Sequence, residues 1–234
     1  GYMAAGFVHG VLNSDNINVT GESFDYGPWR FAPCYDPRFT AAYFDETGLY
    51  SFGRQPGALS WNLARLAECL LHLIDITTAE ETLDAFPDRL QAEFRLALLN
   101  RLALASAGDE SDAQLAKAFV DFLNVTQAPF EQCFFDWRGG LASATRAQAS
   151  PSAALYETPA FAPLRAALAE HEGTSDARLD HPYFRRQTPC TMLIDEVEEI
   201  WAAIAERDDW SLLEKKIAAI GEMRAAYGAC AAGI

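Results

Sequence analysis

The chain has 234 residues, half of them hydrophobic, enough for one large domain or one domain with a helical extension around a sizeable core. Its 33 acidic against 18 basic side chains leave a net charge of −15, which repels a nucleic-acid backbone and an anionic membrane surface and argues against both as partners. There is no run of about 18 apolar residues and no basic-then-apolar leader at the N-terminus, so the expectation is a soluble, cytoplasmic protein.

The cysteines at 34, 69, 133, 190 and 230 form no CxxC pair and are odd in number, which speaks against a zinc site or a secreted disulfide framework. The histidines at 9, 72, 171 and 181 show no metal-ligand spacing either.

In chain order, Gly1 to Val8 reads as the end of a packed helix feeding a loop. A segment normally precedes such a helix, and the chain is expected to be truncated there. Ile17-Asn18-Val19-Thr20 alternates apolar and polar, Gly21-Glu22-Ser23 turns, and Phe24-Asp25-Tyr26 returns, which predicts a small β-hairpin, the one strong β signal. Residues 26–56 are rich in Pro, Gly and aromatics and read as ordered but irregular. Leu59, Leu63, Leu66, Leu70 and Leu73 then share one helical face, predicting a helix from Ala58 to about Ile74.

Thr77 and Thr78, three residues before Glu80 and Glu81, suggest a capping box for the next helix, which Pro87 ends or restarts and which continues through Leu90, Phe94 and Leu98 to the Gly108-Asp109 break. A helix from near Ser111 turns Leu115, Phe119 and Phe122 inward, and Phe130 to Trp137 predicts another. Residues 142–152 read as a loop, Pro163 to His171 as a short helix, and Gly173 to Asp176 as a loop. Two amphipathic helices close the chain. One uses Leu193, Ile194, Val197, Ile200, Trp201 and Ile204; the other, capped by Asp209 or Ser211, uses Leu213, Ile217, Ile220 and Met223. The expected fold class is mainly α with one small hairpin.

The chemistry concentrates at the start. His9-Gly10-x5-Asn16 has the spacing of the catalytic loop shared by protein kinases and small-molecule kinases, and Asp25-Tyr26-Gly27 follows it as an Asp-Phe-Gly-like triplet. Asn16 and Asp25 are oxygen ligands suited to a hard cation carrying a nucleotide's phosphates. The third position of the motif, where a kinase keeps its catalytic aspartate, is Val11, so an ordinary kinase reading fails at that residue.

Together, HGVLNSDN from His9, FDYGP from Phe24, Tyr35-Asp36-Pro37, Thr47-Gly48-x-Tyr50, Gln55-Pro56 and Trp61-Asn62-Leu63-x2-Leu66-Ala67 resemble the selenoprotein O family, also called the YdiU family, densely over about the first seventy residues. The resemblance implies a protein-kinase-like fold and transfer of AMP from ATP to hydroxyl side chains of proteins, with the nucleotide turned round relative to kinases. It implies that Asn16 and Asp25 ligate Mg²⁺ or Mn²⁺, that Asp15 is the general base, and that His9 and Gly27 structure the loop. On the residues alone, Asp15 reads equally well as a solvated or turn-capping aspartate.

The resemblance further places a kinase-like C-lobe, helical with the hairpin beside its catalytic loop, at residues 1–140 and a helical C-terminal extension at 141–234. The family's N-terminal lobe has no counterpart, so this chain alone is expected to be inactive. Some members carry a selenocysteine or cysteine near the C-terminus, which makes a redox pair of Cys34 and Cys230 an expectation to test, with two unpaired thiols as the plainer reading. The alternative from another class is a non-catalytic pseudokinase module acting as an interaction scaffold. A small-molecule phosphotransferase is a weaker third reading, disfavoured by Val11.

Overall fold

The structure, a computed structural model, describes residues 1–25 and 27–228. The chain divides into two compact units, residues 1–32 with 36–96, and residues 33–35 with the chain from Ala97 onward. Among the described residues the structure is mainly helical with one two-stranded sheet.

In the first unit, α1 (Tyr2–Ala5) is closed by Gly6 in the left-handed region, at φ 63°. β1 (Phe7–Val8) then pairs antiparallel with β2 (Arg30–Phe31), Phe7 opposite Phe31 and Val8 opposite Arg30. Phe7, Trp29 and Phe31 hold this short ladder by ring contacts, with centroids 5.4 to 6.1 Å apart. Among the described residues, the hairpin predicted over 17–26 is not a ladder of strands. It reduces to a single antiparallel bridge between Ile17 and Ser23. The alternation there has nothing to bury against, since Val19 is 82% exposed.

α2 (Gln55–Leu70) starts three residues earlier than its leucine pattern suggests, because Pro56 fits its first turn, where a missing N–H costs nothing. It also stops short of Ile74. α3 (Ile76–Asp84) is capped by Asp75 rather than by the threonines: Asp75 Oδ1 accepts the Thr78 N–H at 3.0 Å and Oδ2 accepts the Thr78 hydroxyl at 2.8 Å. The bond from the Thr78 N–H, then that from its hydroxyl, holds the Asp75 carboxyl below the usual range. Pro87 restarts the chain as α4 (Phe86–Leu102).

The second unit contains α5 (Asp109–Thr126), α6 (Phe130–Trp137), α7 (Ala144–Gln148), α8 (Ala153–Tyr156), α9 (Ala162–Ala169), α10 (Ile194–Arg207) and α11 (Ser211–Ala226). Leu115, Phe119 and Phe122 of α5 are buried as their spacing predicts, beside Phe134, Leu164 and Leu168. The loop expected over 142–152 is largely helical, because the short α7 lays Ala147 into the core. On α11, Ile220 and Met223 pack against Tyr183 and Phe184, while Ile217 is 59% exposed; on α10, Trp201 is 66% exposed and Ala203 takes the inward place.

Two buried polar groups organise this unit. The Asp136 carboxylate accepts bonds from Gln132 Nε2, the Ser150 hydroxyl and the Tyr156 hydroxyl at 2.5 to 2.8 Å, and burial still pushes its carboxyl up. Asp112 accepts from Ser106 Oγ and the Ala107 N–H, and sits 2.9 Å from His171 Nε2. His171 Nδ1 lies 2.9 Å from the Ala167 carbonyl, so both ring nitrogens face acceptors and the side chain ties α5 to the end of α9. No helix among the described residues is long and apolar enough to cross a membrane.

Candidate functional site

His9 is fully buried and anchors the loop at both ends. The Val11 N–H donates to its Nδ1 at 3.3 Å, so the ring hydrogen resides on Nε2, which donates to the Phe24 carbonyl at 3.0 Å. One imidazole thus ties the start of the loop to the residue preceding Asp25. Gly10 turns beside it at φ 87°, and a Cβ there would stand 2.8 Å from Pro28 Cγ and 3.1 Å from Ala41 Cβ, so only glycine fits.

After Leu12 the chain enters a 3₁₀ turn, Ser14–Asn16, which exposes Asp15 and buries Asn16. Asn16 Nδ2 donates to the Val11 carbonyl at 2.9 Å, leaving Oδ1 as the free end of the carboxamide. The Phe24 N–H donates to the Asn16 carbonyl at 3.1 Å, a rung that sets Asp25 one residue beyond Asn16's partner. Asp25 is exposed and left-handed at φ 57°, a strained conformation that aspartate tolerates better than most residues. A Cβ on Gly27 would lie 3.8 Å from Asp25 Oδ1, an ordinary contact, so Gly27 is not forced by crowding.

Asn16 and Asp25 offer oxygen only, a donor set that fits Mg²⁺ or Mn²⁺ with phosphate and water completing the shell. No group of three or more His, Cys, Asp or Glu able to hold a metal occurs among the described residues. Cys34 is a free, half-buried thiol whose pKa burial pushes up, and Cys230 lies outside the described residues.

Two polar residues that hold the loop went unassigned in the sequence. Gln55, 1% exposed, accepts the His9 N–H on Oε1 at 3.1 Å and donates from Nε2 to the Phe7 carbonyl at 2.9 Å. Asn62 donates from Nδ2 to the Leu12 carbonyl at 3.0 Å. They stand seven residues apart, two turns of α2, and so share the face that meets the loop. Two carboxamides spaced by seven on the leucine-bearing face of α2 are the available signal.

A family model described as protein adenylyltransferase SelO matches residues 1–221. Among curated proteins, the protein nucleotidyltransferase YdiU of Trichodesmium erythraeum is 36% identical over 214 residues, 89% of this chain and 45% of that protein. The same-named protein of Gloeobacter violaceus is 35% identical over 219 residues, 89% of this chain and 44% of its own length. The one from Synechococcus elongatus reaches 46% over 125 residues, 53% of this chain and 24% of that protein. The chain therefore spans under half the length of these relatives. A family match over residues 1–221, nearly the whole chain, makes this chain a member of the SelO family.

Proposed function

We propose that this chain supplies the metal-binding and proton-accepting part of a protein adenylyltransferase site, with residues 1–140 as a kinase-like C-lobe and 141–234 as its helical extension. The Phe24-to-Asn16 rung supports the reading, because it pairs the backbone of Asn16 with the residue preceding Asp25 while Asp15, next in the chain, stays open to solvent. The family's name and those of its relatives support nucleotidyl transfer to protein.

Asn16 and Asp25 would hold Mg²⁺ or Mn²⁺, which supplies charge neutralisation at the triphosphate of ATP. Asp15 takes the proton of a Ser, Thr or Tyr hydroxyl as its oxygen bonds to the α-phosphorus; the bond from that phosphorus to the bridging oxygen breaks, and pyrophosphate leaves. His9 and Gln55 keep the loop in place for this step, a positioning role.

The test is to incubate the full-length protein containing this chain with α-labelled and, separately, γ-labelled ATP. Label entering protein from the α-phosphate alone is the expected outcome, and label from the γ-phosphate alone overturns it. A scaffold without catalysis is the second reading, favoured by Val11 at the kinase base position. Nucleotide-dependent Mn²⁺ binding that Asp25→Ala abolishes counts against that scaffold.

A further inference from the structure

A cleft of about 520 Å³ opens on the first unit between the catalytic loop, through Leu12 and Asn13, and the N-terminal turns of α2. Its apolar walls face solvent: Leu49 is 54% and Trp61 55% exposed. A Cβ on Gly57 would meet nothing within 4 Å, so the wall along α2 leaves room for an incoming chain. The volume suits a large side chain with backbone on either side of it.

The charge in this cleft has one sign. Arg54 is the single ionisable side chain among its lining residues apart from the Tyr50 phenol, in a protein of net charge −15. Its Nη1 donates to the carbonyls of Thr47 and Gly48 at 3.2 and 3.4 Å, in a turn that Asp45 organises by accepting the Leu49 and Tyr50 N–H groups. The guanidinium is held in place with further N–H groups to give to a carboxylate. The side-chain oxygens of Asn13 and Asn62, also in the lining, are buried without a donor.

We infer that this cleft seats an extended segment of the acceptor protein, taking a large apolar side chain against Trp61 and Leu49 and an adjacent acidic residue at Arg54. The inference rests on Asp15 as the proton acceptor. Asn13, on the rim of the cleft, precedes Asp15 by two residues, at most about 7 Å of chain, so the cleft opens beside the proton acceptor and a segment seated in it can carry its hydroxyl there. Acceptor choice is thereby set by the cleft and not by the hydroxyl itself.

The test uses a fluorescein-labelled nine-residue peptide with a central serine, a phenylalanine two positions on and a glutamate next to it, followed by anisotropy against this chain without nucleotide. Saturable binding is expected, weakened about tenfold when the peptide's phenylalanine becomes alanine. Arg54→Glu loses binding by about tenfold and regains it with lysine in place of the peptide's glutamate, a rescue that misfolding would not produce. Gly57→Phe, which fills the cleft, abolishes binding while far-ultraviolet circular dichroism stays unchanged. No saturable binding, or binding indifferent to both variants, overturns the inference. In the full-length protein, AMP transfer unaffected by either variant removes the cleft and keeps the transfer reading; peptide binding that obeys the swap without label from the α-phosphate keeps the cleft and removes the transfer reading.

Discussion

At the scale of single residues, the loop depends on two carboxamides and one glycine. Gln55→Leu deprives the buried His9 N–H of its side-chain acceptor and the Phe7 carbonyl of a donor, and should cost about 2 kcal/mol or more in urea denaturation. Asn62→Leu loses one bond to Leu12 but also removes a buried oxygen that has no donor, so its cost should stay below about 1 kcal/mol. Gly10→Ala, against the positive φ and the 2.8 Å approach to Pro28, should destabilise by about 2 kcal/mol or more by the same measurement. His9 and Asn16 were legible because a fixed gap between them is itself a pattern. Gln55 and Asn62 stand in the sequence only as parts of a motif, since a polar residue on an apolar helix face looks the same whether it meets solvent or a backbone carbonyl.

At the scale of elements, the long amphipathic helices were readable, and the short α7 and the strands were not. The leucine and phenylalanine spacing located α2 and α5, because burial of one face leaves a period of 3.6 in the sequence. β1 and β2 have two residues each, too few for any period, and twenty-odd residues separate them. At α3, Asp75 outranked Thr77 and Thr78 because its two oxygens serve both the N–H and the hydroxyl of Thr78; Asp75→Ala should cost about 1 kcal/mol, read as a drop in denaturation midpoint. The clamp between α5 and α9 carries a pH signature. Burial raises the Asp112 carboxyl, but bonds from Ser106, Ala107 and His171 outweigh it and hold the folded value below the ordinary one. A depressed carboxylate stabilises above the unfolded value near ~4 and loses that contribution as pH falls through the folded value. Urea midpoints should therefore decline from about pH 5 to about pH 3, and decline less in Asp112→Asn.

At the scale of the molecule, family membership was carried by a few short motifs in order, and it says more about function than the fold does. Mn²⁺ titration in the presence of ATP should show binding to the full-length protein that Asp25→Ala weakens by about tenfold or more, and that Asp15→Asn leaves nearly intact while abolishing transfer. The carboxamide face of α2 also bears on how this family can change length. Inserting or deleting one residue between Gln55 and Asn62 rotates the second carboxamide by about 100° and lifts it off Leu12. The stretch from 55 to 62 thus works as a ruler whose number of residues is as constrained as their identity.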